Sequence, residues 1–132
     1  NRMLDLADIQ NGERVIDLGS GNGAILHALA ARGIAAEGVE LNPLLVAESN
    51  KTLEAAGYQD LITVKRGNFW DIDLSTYDVI FLYGTTYIME KLERKLHDEM
   101  QPGARLISNY FEFPNWEPVA SDGKIRRYEV RV

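Results

Sequence analysis

The sequence predicts an α/β protein: a doubly wound, mostly parallel sheet with helices on both faces and an antiparallel edge at the C-terminus. Three observations carry this prediction. Short apolar runs alternate with amphipathic helical segments along the 132 residues. The first run, VIDLGSGNGAIL at residues 15–26, ends in three alternate glycines, a strand-to-helix turn that lets a ligand touch backbone. Near the C-terminus, Asp122-Gly123 precedes an alternating segment, which is a two-residue hairpin signal.

Each element has its own local signal. Residues 2–10 place Met3, Leu6 and Ile9 or Gln10 on one helical face, and Asn11-Gly12 marks a turn. Residues 15–18 read as a buried strand. Residues 22–31 carry Ile25, Leu26, Leu29 and Ala30 at helical spacing, closed by Arg32-Gly33. Residues 35–41 form a second strand. Asn42-Pro43 then opens a helix, with asparagine as cap and proline at the first helical position. That helix stops at Gly57. Residues 61–69 hold a third strand, 71–77 a polar loop or one helical turn, and 78–83 a fourth, fully apolar strand. A charged helix over 88–100 buries Met89, Leu92, Leu96 and Met100. Gln101-Pro102-Gly103 ends it, residues 104–111 form a fifth strand, and 125–132 the last.

Length and composition fit one domain spanning 1–132, with 45% hydrophobic residues for a single core. There is no repeat, low-complexity tract or linker. The net charge is −6, which disfavours nucleic acid as the partner, because phosphates call for a basic face. Lys124, Arg126, Arg127 and Arg131 read as a solvated strand face. The absence of cysteine removes disulfides, thiolate-bound zinc and cysteine nucleophiles. No stretch approaches the roughly 20 apolar residues of a membrane span, and NRMLDLADIQ has no apolar signal-peptide core. A cytoplasmic protein is the expectation.

The glycine turn admits two readings. Gly19, Gly21 and Ala24 satisfy the looser dinucleotide fingerprint. Two details point away from NAD: Asp17 interrupts an otherwise apolar strand, and the third glycine falls at Gly23. Close backbone approach at three alternate positions suits a nucleoside with an amino-acid tail, without a pyrophosphate on the helix N-terminus. Asp17, as a buried carboxylate, needs donors, which a bound α-ammonium group or ordered water would supply. Glu40 ends the second strand, where a carboxylate can accept from both ribose hydroxyls; this fits NAD and S-adenosylmethionine (SAM) equally. After strand three, Asn68 can pair with the amino edge of adenine, and Phe69 or Trp70 can cover the ring.

With those residues placed, the chain resembles the class I SAM-dependent methyltransferases, whose fold is Rossmann-like. VIDLGSGNG, GVELNP, GNFWD and QPGARLIS occur in the family's order and cover nearly the whole chain. Residues 78–118 together with ELNP and the C-terminal strand are similar to a small group of protein-lysine methyltransferases. That group includes the mitochondrial enzymes acting on the adenine nucleotide translocase and on the c-subunit of ATP synthase. More distantly, they resemble the histone-lysine methyltransferases that lack a SET domain. The resemblance implies that Asp17, Gly19, Ser20, Gly21, Gly23, Glu40, Leu41, Asn68 and Phe69 hold SAM, with S-adenosylhomocysteine as product. The sequence departs from the mitochondrial members in having no membrane-targeting segment, and in LYGTTY where they carry a shorter, proline-containing turn. The acceptor therefore does not carry over with the cofactor.

The acceptor side is read from chemistry. A lysine must lose its proton before it attacks, and only about one in a few thousand is neutral at pH 7. Apolar, aromatic surroundings lower its pKa by desolvation. Tyr83 and Thr85, followed by Thr86 and Tyr87, come after strand four; Tyr110, Phe111, Phe113 and Trp116 come after strand five. Tyr83 and Thr85 are the candidate acceptor-site residues. The turn lacks the Asn/Asp-Pro-Pro-aromatic signature for planar nitrogens. Asp71 and Asp73 read as a solvated loop, so no metal is expected, and His27 and His97 read as structural or exposed rather than catalytic. The reading is N-methylation of a protein lysine. The alternatives are a small-molecule methyl acceptor, a SAM-binding module without activity, and an NAD-linked oxidoreductase.

Overall fold

The computed structural model describes residues 1–83 and 87–131. In chain order the elements are α1 (Arg2–Ala7), β1 (Val15–Leu18), α2 (Ala24–Ala31), β2 (Ala36–Glu40), α3 (Pro43–Ala55), β3 (Ile62–Arg66), a 3-10 turn (Phe69–Asp71), β4 (Val79–Leu82), α4 (Met89–Glu99), β5 (Arg105–Asn109), β6 (Ala120–Asp122) and β7 (Ile125–Glu129). The seven strands form a mostly parallel sheet with an antiparallel edge, the fold class the sequence predicts. The chain makes two compact units: Val15–Ile72, and Asn1–Arg14 with Asp73–Val132. Among the described residues, no helix is long and apolar enough to cross a membrane.

In the Val15–Ile72 unit the strand order is β3-β2-β1, all parallel. All four residues of β1 are buried. Leu26, Leu29, Val39, Leu53, Ile62 and Val64 pack the helices onto the strands. The helices have definite ends. Asn42 Oδ1 accepts from Leu44 N–H at 2.9 Å, and Pro43 needs no donor partner at the first position. At the far ends, Ile34 N–H reaches Leu29 O and Tyr58 N–H reaches Leu53 O. Gly33 and Gly57 supply the positive φ between, at 74° and 81°, so both helices close in the Schellman manner.

In the other unit β4 and β5 are parallel, β7 lies antiparallel to β5, and β6 is antiparallel to β7. The buried face of α4 is Met89, Leu92, Glu93 and Leu96. The buried face of α1 is Met3, Leu4 and Ala7 rather than a stripe through Leu6. Asn1 caps that helix, its Oδ1 accepting from Met3 N–H at 2.9 Å. The hairpin also shifts by one residue. Asp122 pairs with Ile125, so the two-residue loop is Gly123-Lys124, with Gly123 at φ 61°.

Candidate functional site

The glycine turn is shaped by backbone contacts to β2. Gly19 and Ser20 both donate their N–H groups to Val39 O, at 2.8 and 3.0 Å. Gly21 N–H goes to Glu40 Oε1 at 2.9 Å. Gly19, Gly21 and Gly23 all have positive φ, at 74°, 58° and 87°, which L side chains rarely adopt. Their surroundings differ. A Cβ on Gly19 or Gly21 would meet nothing within 4 Å, whereas one on Gly23 would sit 3.1 Å from Ser49 Oγ. Gly19 and Gly21 thus border open space, and Gly23 is a packing position. The same holds for Gly38, where a Cβ would lie 2.6 Å from Leu26 Cδ1 and 3.0 Å from the Ser20 hydroxyl oxygen. Ser20 Oγ is buried there with no hydrogen-bond partner, so Ser20 faces β2 with its side chain and contributes its backbone to the turn.

Glu40 is a clasp between two segments. Its Oε1 accepts from Gly21 and its Oε2 accepts from Asn42 N–H at 2.8 Å. Each oxygen keeps a further lone pair for a ligand hydroxyl. Gly67 N–H donates to Glu40 O at 3.0 Å, which brings the start of the Asn68 segment to the end of β2.

Asp17 is 5% exposed. Burial, with the Glu40 charge adding to it, pushes its carboxyl up to about 8. An acid held protonated in this way, beside a second acid, favours a bound cation: an ammonium partner would offset both penalties at once.

Asn68 Oδ1 accepts from Trp70 N–H at 3.1 Å and caps the 3-10 turn. That turn presents Phe69 and Trp70 with ring centroids 4.9 Å apart and half-buried faces. Leu41 is 64% exposed at the end of β2. The structure therefore brings together the glycine turn, Asp17, Glu40 and the Gly67–Asn68 junction.

Sequence reasoning did not single out Ser49. Its buried Oγ donates to Gly21 O at 3.0 Å and braces the turn from α3. Its only local signal was the four-residue spacing to Leu53, the other buried residue of α3. His27 holds Thr52 at 2.9 Å and lies edge-on to Tyr58, a structural place.

The other unit carries the aromatic residues. Tyr83 is 67% exposed and meets Phe111 edge-on, with centroids 6.2 Å apart at 89°. Thr85 and Thr86 lie outside the described residues. Phe113 is buried against Tyr128 and Trp116, and Trp116 packs on His97. These two rings cap the core instead of joining Tyr83. The basic residues of β7 are engaged by acids: Arg126 with Glu112 at 2.8 Å, and Arg127 with Glu129. Arg105 was legible only as a strand residue, yet it is a buried hub. It donates to Ala7 O, Asp8 O and both oxygens of Glu13, at 2.6 to 2.8 Å.

Fold and turn together define a methyltransferase domain. The profile of the ANTKMT methyltransferase domain matches residues 17–120, and the chain belongs to this family. A protein-lysine N-methyltransferase of Saccharolobus islandicus (strain REY15A) is 34% identical over 120 residues, covering 89% of this chain and 74% of that protein. The lysine N-methyltransferase of Xenopus laevis that acts on the C-subunit of ATP synthase is 38% identical over 104 residues, covering 79% of this chain. The chain spans 46% of that relative's length. A crystal structure of an RNA methyltransferase from Salinibacter ruber in complex with S-adenosyl-L-homocysteine superposes with a TM-score of 0.90 at 30% identity, over 98% of this chain and 88% of that one.

Proposed function

We propose that this chain uses SAM to N-methylate a lysine side chain of a protein. The observation that carries the cofactor is the pairing of a buried, proton-holding Asp17 with a backbone turn open at Gly19 and Gly21. Asp17 takes the α-ammonium group. Glu40 takes the ribose hydroxyls on the lone pairs that Gly21 and Asn42 leave free. Asn68, Phe69 and Leu41 take the adenine, and Gly23 and Ser20 keep the turn in shape. SAM supplies a methyl group on a sulfonium: a nitrogen–carbon bond forms as the carbon–sulfur bond breaks, leaving S-adenosylhomocysteine. The protein's part is positioning and desolvation. Tyr83, edge-on to Phe111, lines the acceptor's approach; Thr85, the second candidate, lies outside the described residues. Tyr83 strips water from the lysine ammonium, which lowers that group's pKa and raises the neutral fraction.

The protein acceptor is supported by the names of the Saccharolobus islandicus and Xenopus laevis relatives. A second reading, RNA as acceptor, is favoured by the likeness to the RNA methyltransferase from Salinibacter ruber. The net charge of −6 weighs against it, as do the acid partners of Arg126 and Arg127. We place the activity in the cytoplasm, which fractionation of the source cells tests. Incubation of cell extract with SAM labelled in the methyl group separates the two acceptors. Label that survives nuclease and appears as Nε-methylated lysine after acid hydrolysis supports the proposal. Label lost to nuclease contradicts it.

A further inference from the structure

Beyond the acceptor's approach at Tyr83 lies a second aromatic face, and one of the protein's own lysines sits on it. Lys124 Nζ stands 4.6 Å from the centroid of the Tyr110 ring, within cation–π range. Tyr110 is 53% exposed and borders a cavity of about 440 Å³ together with Phe111, Glu112, Lys124 and Arg126. We infer that the Tyr110 face is a docking site for an ammonium-bearing side chain of the protein acceptor, and that Lys124 occupies it until the acceptor arrives. The inference rests on the lysine-methyltransferase reading above.

Three features support a built site. Tyr110 has φ 80°, a conformation that non-glycine residues rarely adopt and that persists only where its surroundings enforce it. Here they do so through main chain. Tyr110 N–H donates to Lys124 O at 2.8 Å, and Arg126 Nη1 donates to Tyr110 O at 3.0 Å. Arg126 is fixed in turn by Glu112 at 2.8 Å, and Ser108 Oγ holds Phe111 O at 2.7 Å. Secondly, the Tyr110 ring leans edge-on against Phe111 at 5.1 Å, and Phe111 against Tyr83 at 6.2 Å. The ammonium face is thereby continuous with the acceptor-side aromatics. Thirdly, Lys124 reaches the ring from the turn of the β6–β7 hairpin, and its side chain is exposed. Its departure uncovers the ring without disturbing the carbonyl that anchors Tyr110. Substrate ammonium and Lys124 ammonium therefore compete for one face.

The test uses Nα-acetyl-lysine N-methylamide, its Nε-trimethyl form and the neutral norleucine analogue, titrated into the full chain and followed by the tyrosine ring resonances in NMR. Both cationic probes should shift the Tyr110 signals, identified by their absence in Tyr110→Leu, and norleucine should not. Lys124→Gln should tighten the cationic probes 2- to 5-fold, and Tyr110→Leu should abolish the effect while S-adenosylhomocysteine binds both variants as it does wild type. Equal shifts with norleucine, or no response to Lys124→Gln, would overturn the inference. So would Tyr110-dependent binding of a single-stranded oligouridylate in preference to the lysine probes. Failure of the wild type to bind S-adenosylhomocysteine would instead sink the cofactor reading and leave the probe titration to stand alone.

Discussion

Gly21 donates its backbone N–H to Glu40 Oε1 at 2.9 Å, so the carboxylate that ends β2 also holds the glycine turn in place. In the proposed function the same side chain also takes the ribose hydroxyls, and two substitutions separate the roles. Glu40→Gln keeps an oxygen for Gly21, loses the charge and leaves Asn42 N–H facing an amide N–H. It should lower the thermal midpoint by about 3–5 °C, roughly 1 kcal/mol, and weaken S-adenosylhomocysteine about 10- to 100-fold. Glu40→Ala should lose the ligand and lower the midpoint further. Paired thermal melts and calorimetric titrations check this.

Asp17 sets a cost in the unliganded chain. Its carboxyl stands at about 8 against an ordinary 3.8. Between these values the folded chain keeps a proton that the unfolded chain has released, so this contribution to stability falls as pH rises from about 4 to about 8. Asp17→Asn should remove that slope. It should stabilise the unliganded protein at pH 7 by roughly 2–4 kcal/mol and abolish cofactor binding. Urea titrations at a series of pH values would show both slopes.

The same carboxyl predicts proton release on binding. At pH 7 Asp17 holds a proton, and an arriving α-ammonium group would expel it. Calorimetry of S-adenosylhomocysteine at pH 7 in phosphate and in Tris should give enthalpies that differ by up to about one proton's worth of buffer ionisation. Equal enthalpies in the two buffers would place the ammonium elsewhere.

The glycines should divide into two groups. Gly19→Ala meets no atom within 4 Å. It should cost about 1–2 kcal/mol of backbone strain and impair ligand binding far more than stability. Gly38→Ala drives a Cβ into buried Leu26 at 2.6 Å. It should cost about 1–3 kcal/mol of stability, and denaturation curves distinguish the two.

Arg105 joins the N-terminal segment to β5 through Ala7, Asp8 and Glu13. Arg105→Met should cost about 3–5 kcal/mol, because Glu13 and two carbonyls lose their donor. The Arg105 hydrogen bond holds the Glu13 carboxyl below its ordinary 4.5. The pair's contribution is therefore present above that pH and is lost as pH falls through the lowered value. The Met variant should lack that acid-side loss in urea denaturation.

What the sequence disclosed follows from how local each signal is. Asn42-Pro43, Gly33 and Gly57 fixed helix ends because caps and positive-φ closures act within a few residues. β4 was legible as an unbroken apolar run, and β1 as an apolar run broken only by Asp17. β6 was not, because three residues ending in Ser121-Asp122 carry no strand pattern and exist by pairing with β7. The buried stations of Arg105 and Ser49 depend on partners 98 and 28 residues away, which no periodicity encodes. At the site, the acid positions and the glycines announced themselves by type. That Glu40 braces the turn, and that Gly23 and Gly38 pack while Gly19 and Gly21 face open space, belongs to tertiary geometry alone.

The most direct test is calorimetric titration of the wild type with SAM, S-adenosylhomocysteine and NAD, repeated on Asp17→Asn and Glu40→Gln. Binding of both SAM and S-adenosylhomocysteine, no heat with NAD, and loss of affinity in both variants is the expected result. Binding of NAD, or S-adenosylhomocysteine affinity unchanged in both variants, would contradict the assignment of the glycine turn, Asp17 and Glu40 to SAM.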